Sequence, residues 1–322
     1  MLAWGAAELR SARTIAGGFG NPPRVPIKML TRELLRKIRK IEIVTERLVR
    51  DRMAGQYHSV FKGAGIAFSE VRQYLPGDDI RLIDWNVSAR MNAPYVKLFV
   101  EEREMTVMLL VDMSASGRFG SANEEKRELA AELAAVLAFS AIKNNDRVGL
   151  IIFTDEVERF VPPKKGKKHV LRVISEILSF QSRSPRTDVA KGLDFLGHVA
   201  RRRAVAFLVS DFLAPLPRYE RALRVASQRH DLIPVVVSDP LESALPPVGI
   251  IDLLDPETGE IVAFDTSGPE GRAFAARSRQ QAEAREALFR RLSLDAIAVS
   301  TDRPYRPALP SFFEARARRL RH

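Results

Sequence analysis

From Met105 onward the chain alternates short apolar runs with longer stretches of helical spacing. Thr106 to Asp112 (TVMLLVD), Val148 to Phe153, Ala204 to Val209 and Leu232 to Val237 are continuous apolar runs of strand length. Between them, Glu124 to Lys143, His169 to Ser179, Asp188 to Ala200 and Tyr219 to Arg229 repeat apolar residues every three or four positions, which predicts helices. Val157 to Val161 is expected to pair with Val148–Phe153 across a turn at Thr154-Asp155-Glu156. A strand from Gly249 to Leu254 leads into a hairpin, PETGEIVAF, turning at Thr258-Gly259. The long helix Arg272 to Leu292 and the strand Ala296 to Ser300 close the series. Strands alternating with helices predict an α/β fold with a mainly parallel sheet covered on both faces.

The pattern upstream is different. In MLTRELLRKIRKIEIVTERLVRDRMAG, which starts at Met29, Leu34, Leu35, Ile38, Ile41 and Val44 fall on one helical face. AGGFGNPPRVP before it reads as linker, so residues 1–28 are expected to be a disordered extension or a misassigned start. Residues 56–104 alternate around Phe68, Glu70, Arg72 and Tyr74, turn at Pro76-Gly77-Asp78, resume from Ile80 to Trp85, and offer a further strand at Tyr95 to Val100. This predicts a small antiparallel β element, with Asp78 and Asp79 as turn residues and Trp85 buried beside a hydrogen-bonded Asp84. The expected organisation is thus an extension (1–28), an N-terminal helix and β element (29–103), an α/β domain (104–302) and a basic C-terminal tail (303–322).

Composition narrows the classes. The chain is 322 residues long and 46% hydrophobic, enough for a substantial core, and it has no cysteine. Disulfides and thiolate metal sites are therefore excluded. No apolar run reaches the roughly 18–20 residues of a membrane span, and the opening segment is broken by Glu8, Arg10 and Arg13. The expected location is cytoplasmic. The net charge is +11, but residues 1–55 hold 12 Lys/Arg against 5 Asp/Glu and residues 303–322 hold 6 against 1. The excess is terminal and is not interleaved with aromatic residues that could stack on bases. No specific nucleic-acid partner is expected; binding through the basic termini stays as an alternative, marked by steep salt dependence.

Candidate chemistry lies in LLVDMSASG, where a buried strand ends in Asp112 and is followed by Ser114 and Ser116 at alternate positions. One helix N-cap needs one such side chain, and here there are three. Ligands of open α/β sheets bind outside the carboxyl ends of the strands. Asp211, in AFLVSDF, ends a second strand, and Thr187, in SPRTDVAKGL, opens the helix preceding that strand while also being a good N-cap. Asp112, Ser114, Ser116, Thr187 and Asp211 are all hard oxygen donors, which favours Mg²⁺, Mn²⁺ or Ca²⁺ over zinc or copper. Thr154 and Asp155 read as a hairpin turn, and the five histidines show no metal-ligand spacing.

DMSAS resembles the D-x-S-x-S signature of von Willebrand factor A domains. That resemblance implies a metal-ion-dependent adhesion site formed by Asp112, Ser114, Ser116, Thr187 and Asp211, with Mg²⁺ or Mn²⁺ as the ion. It also implies neutral hydroxyl ligands that leave the ion electrophilic and an acidic side chain of a partner protein at its open position. A broader set of strings, VFKGAGIAFSEVRQYLPGDDIRLIDWNVSAR, YVKLFVEERE, DRVGLIIF, RTDVAKGL and DPETGEI, resembles the bacterial domain-of-unknown-function family 58. Such proteins place a β element before a von Willebrand factor A-like domain. The family's usual gene neighbours imply a partner: a MoxR-type AAA+ ATPase, or its client, in a chaperone-like system.

Enzyme readings fare less well. A phosphatase using Asp112 as nucleophile needs an acid two residues later, where this chain has Ser114. Neither a P-loop nor a G-x-S-x-G elbow is present. The expectation is a non-catalytic, metal-dependent protein-binding module, with a divalent-metal phosphatase as the alternative from another class.

Overall fold

The computed structural model describes residues 36, 38–43, 57, 60–61, 65–102, 104–120, 125–254 and 261–319. The expectations for residues 1–28 and for the 258–259 turn lie outside these residues, as does most of the predicted N-terminal helix. Its described part, within 36–43, is helical and buries Ile38 and Ile41.

The first described elements are β1 (Gly65–Gln73) and β2 (Tyr95–Glu102), paired antiparallel. Between them, the expected strand from Ile80 to Trp85 is absent. Ile80–Leu82 forms a 3-10 turn capped by Asp79, and Trp85–Met91 forms helix α1. Asp84 causes the difference: its carboxylate accepts the N–H groups of Asn86 and Val87, which starts a helix where alternation alone predicted a strand. The hydrogen-bonded Asp84 was expected, but Trp85 is 69% exposed rather than buried.

The main sheet comprises β3 (Thr106–Asp112), β4 (Arg147–Phe153), β5 (Val157–Lys164), β6 (Val205–Ser210), β7 (Asp231–Ser238) and, after a separate antiparallel hairpin of β8 (Ile250–Leu254) and β9 (Ile261–Asp265), β10 (Ile297–Ser300). Its order is β10-β7-β6-β3-β4-β5, parallel throughout except for β5, which returns antiparallel on β4. The chain leaves β3 toward β4 on one side and later adds β6 on the other. This puts the switch of direction at the carboxyl ends of β3 and β6, the place where such sheets bind ligands.

Strand period two divides the core. Val107, Leu109 and Val111 of β3 face one apolar cluster, while Met108 and Leu110 face the other. The first cluster is covered by α2 (Lys126–Lys143) and α3 (Lys167–Leu178), and the second by α4 (Val189–Val199), α5 (Leu216–Arg229) and the end of α7 (Pro269–Arg291). A short helix, α6 (Pro240–Ser243), follows β7. Helix α2 is apolar all round and is buried from Leu129 to Ala141, apart from Glu132. Gly192 lets α4 press onto β4, because a Cβ there would lie 2.8 Å from the Phe153 ring.

The stretch expected to be a basic tail instead folds, over Ala308–Arg319, as helix α8. Leu309 and Phe313 are fully buried in the first cluster, where the Phe313 ring packs edge-on against Tyr57 and Phe61. Its arginines are engaged as well. Arg316 donates to both oxygens of Asp231 and lies over the Phe61 ring, and Arg319 pairs with Asp295. Charge counting cannot see this, because Leu309, Phe313 and Arg316 share a face only once the segment is coiled.

Asp146, fully buried before β4, accepts the Met105 N–H at 2.9 Å and the Tyr57 hydroxyl at 3.2 Å. Burial pushes its carboxyl up to about 6. The native group therefore keeps its proton up to that pH, whereas the unfolded group releases it near about pH 4. Stability should fall as pH rises across that window and remain lower above it. Asp146→Asn keeps a carbonyl oxygen to accept the Met105 N–H and sets an amide beside the Tyr57 hydroxyl, with that bond's direction reversed, but does not titrate. Urea unfolding at several pH values should show the variant gaining on wild type from about pH 4 to 6, by at most ~3 kcal/mol. A difference that is flat with pH would show that Asp146 is not the titrating group.

Candidate metal centre

Asp112 is the last residue of β3, paired with Phe153 on β4, and the chain turns immediately after it. Its Oδ1 accepts the Ser114 N–H at 3.1 Å, forming an Asx-type turn, and the Thr187 hydroxyl at 3.3 Å. Its Oδ2 accepts the Ser210 hydroxyl at 2.7 Å. Ser114 precedes a 3-10 turn at Ala115–Arg118, yet its side chain makes no capping bond. Its hydroxyl lies 3.0 Å from that of Ser116 instead. Capping is therefore not what these serines do.

Thr187 arrives on a loop tied down from three sides. The Ala115 N–H reaches the Pro185 carbonyl, the Asp188 N–H reaches the Thr154 carbonyl, and Glu158 accepts the Arg183 N–H and the Thr154 hydroxyl. The N-cap of α4 is Asp188, whose carboxylate accepts the Ala190 N–H, rather than Thr187. That leaves the Thr187 hydroxyl to face Asp112. Thr154 and Asp155 lie in the β4–β5 turn, as their sequence context predicts.

Asp211 follows β6. Its Oδ1 accepts the Leu213 N–H at 3.2 Å, and its Oδ2 accepts from the Lys126 ammonium at 2.8 Å. Phe212 next to it has φ +54°, a left-handed conformation unusual for a bulky residue. Packing against Tyr219 and Phe289 at centroid distances of 5.8 and 5.4 Å holds it there and turns the chain sharply after Asp211.

Asp112, Ser114, Ser116, Lys126, Ser210 and Asp211 line a cavity of about 20 Å³, room for one water or a small cation. Burial first, and then the Asp211 carboxylate, push Asp112 up to about 6, against the hydrogen bonds from Ser210 and Ser114. The site carries two carboxylates, of which Asp211 is paired with the Lys126 ammonium, and Ser114, Ser116 and Ser210 offer hydroxyl oxygens. Of the lining residues, Asp112, Ser114, Ser116, Ser210 and Asp211 fit a hard divalent cation by donor type and size.

Two residues escaped the sequence reading. Ser210 fixes the Asp112 carboxylate from β6, and Lys126, 2% exposed at the start of α2, bonds Asp211. Ser210 was visible as a hydroxyl beside Asp211 at a strand end. Nothing local marked Lys126, which is 85 residues away from its partner.

A doubly wound sheet with D-x-S-x-S at its switch point defines an α/β protein of the von Willebrand factor A-like type. The model described as "Protein of unknown function DUF58" matches residues 70–285, and the chain belongs to that family. The uncharacterized protein Rv1480 of Mycobacterium tuberculosis is 33% identical over 291 residues, covering 89% of this chain and 90% of its own. YeaD of Bacillus subtilis, also uncharacterized, is 30% identical over 139 residues, 42% of this chain and 31% of its own. Among solved structures, BatB from Bacteroides thetaiotaomicron aligns with 66% of this chain and 99% of its own at 14% identity and a TM-score of 0.43. The SpRpn10 VWA domain aligns with 66% and 95% at 10% identity and a TM-score of 0.37. Among the described residues no helix is long and apolar enough to cross a membrane.

Ser210→Ala should leave Asp112 Oδ2 and the Phe212 N–H, which bonds the same hydroxyl at 3.1 Å, without partners. The expected cost is about 1–3 kcal/mol, read as a lower denaturant midpoint at unchanged slope. An unchanged midpoint would mean that Ser210 does not hold the carboxylate.

Proposed function

We propose that this protein is a non-catalytic, divalent-metal-dependent protein-binding module and an adaptor of a MoxR-type AAA+ ATPase system. The observation that most supports this reading is the convergence of Asp112, Ser114 and Ser116 at the β3 end with Asp211 across the same cavity, with the Thr187 hydroxyl bonded to Asp112 although Thr187 is not part of the cavity lining. Mg²⁺ is the expected ion and Mn²⁺ its substitute. When bound, such an ion supplies an electrophilic position that an incoming carboxylate can complete. Asp112 contributes the charged donor, held by Ser210, while Ser114, Ser116 and Thr187 contribute neutral hydroxyls. Much of the ion's charge is then left for an Asp or Glu of the ATPase or its client. That contact is one anchor within a wider interface.

Two features favour binding over catalysis. The cavity is far smaller than the roughly 300–1,000 Å³ of small-molecule sites. Two residues past Asp112, where a phosphatase places its acid, the Ser114 hydroxyl meets Ser116 and offers no acid–base group. The ATPase partnership rests on the family resemblance, and the basic C-terminus, with Arg316 and Arg319 paired, favours protein over nucleic acid.

Mg²⁺ or Mn²⁺ is expected to raise the melting temperature of the wild type, since a ligand of the native state stabilises it by mass action, ~2.7 kcal/mol at 100 times Kd. Asp112→Ala should remove the response while retaining the far-UV dichroism. Coincident wild-type melts with and without metal would dispose of the site. In a pull-down with the ATPase, EDTA, Asp112→Ala and Ser114→Ala should each weaken recovery, and Arg318→Ala should matter less. Undiminished recovery in EDTA would show that the contact lies elsewhere.

A further inference from the structure

Lys126 has a place in this site that the metal reading leaves unexplained. It is the first residue of α2, and its side chain is 3% exposed, an unusual position for an ammonium group. Its Nζ lies 2.8 Å from Asp211 Oδ2 and also pairs with Glu242. Glu242 is itself fixed. Its other oxygen accepts the Asp239 N–H at 3.1 Å, completing a capping box at α6, and Asp239 is held in turn by the Thr301 hydroxyl at 2.6 Å. Lys126 thus reaches the cavity from a rigid base, with one carboxylate in the site and one behind it.

We propose that Lys126 is a tethered cation that competes with the divalent ion for Asp211 and so sets the affinity of the site. The inference rests on the metal-binding reading and deepens it. Like charges repel in a partly desolvated cavity, so a lysine on Asp211 opposes an ion held by Asp112 in the same cavity. The same ammonium keeps Asp211 paired when no ion is bound, which avoids leaving Asp112 and Asp211 as adjacent uncompensated carboxylates. Arg127, the other cation at this wall, donates to the Leu178 and Phe180 carbonyls. Glu242 acts as the counterweight: it draws part of the lysine's charge away from Asp211.

The test is Mn²⁺ binding, measured by calorimetry and by the spin-resonance signal of free Mn²⁺, on the full chain. Lys126→Met keeps length and burial but removes the charge. It should bind Mn²⁺ at least tenfold more tightly than wild type, while its metal-free form melts earlier. Glu242→Gln, which returns the whole lysine charge to Asp211, should bind several-fold more weakly and guards against a Lys126→Met protein that does not fold. Binding by Lys126→Met that equals or falls below wild type, or by Glu242→Gln that is unchanged or tighter, overturns the proposal while leaving the metal site standing. If neither wild type nor Lys126→Met binds Mn²⁺, the metal reading itself is lost and this one with it.

Discussion

The half-buried carboxylate of Asp112 joins three separate parts of the chain. Its two oxygens accept bonds from the turn that follows β3, from the loop before α4 and from the end of β6. Each bond restrains a segment that would otherwise retain more of its backbone entropy. The carboxylate works as a fastener and as the charged centre of the cavity at once. These roles conflict, because holding a carboxylate in a poorly solvated position beside Asp211 raises the cost of its charge. The elevated proton affinity of Asp112 is the measure of that conflict.

The rest of the fold supplies the rigidity that makes such a site tolerable. β3 lies between β6 and β4 and is buried on both faces, so Asp112 projects from one of the least mobile points of the sheet. Phe153, the register partner of Asp112, is packed by Gly192 of α4, the helix that follows Thr187. Phe212, beside Asp211, is clamped by Tyr219 and Phe289. Asp112, Ser114, Thr187 and Asp211 are thus each one or two residues from a buried aromatic or apolar anchor, as a site of fixed geometry requires.

The parallel strands were legible because burial on both faces leaves uninterrupted apolar runs, and the helices between them because their period is 3.6. Candidate donors were legible because strand ends and helix starts place Asp112, Ser114, Ser116, Thr187 and Asp211 on one edge once the α/β order is known. Where local signals competed, the reading failed. Ile80 to Trp85 alternates like a strand, but Asp84 caps a helix and turns Trp85 outward. The basic residues after Arg303 resembled a solvated tail, while Leu309 and Phe313 carried too short a pattern to announce the docked helix α8.

By itself, then, the sequence determined the class of fold, the order of its elements and the oxygen chemistry at one sheet edge, because periodicity and residue type are local properties. The tertiary structure decided how the site is charged and held. Ser210 acquires its role from the bond to Asp112 across 98 residues, and Lys126 from carboxylates 85 and 116 residues away. Long-range pairing of single polar side chains leaves no period and no composition bias. It exists only when the sheet has assembled and burial has made each unpaired charge costly.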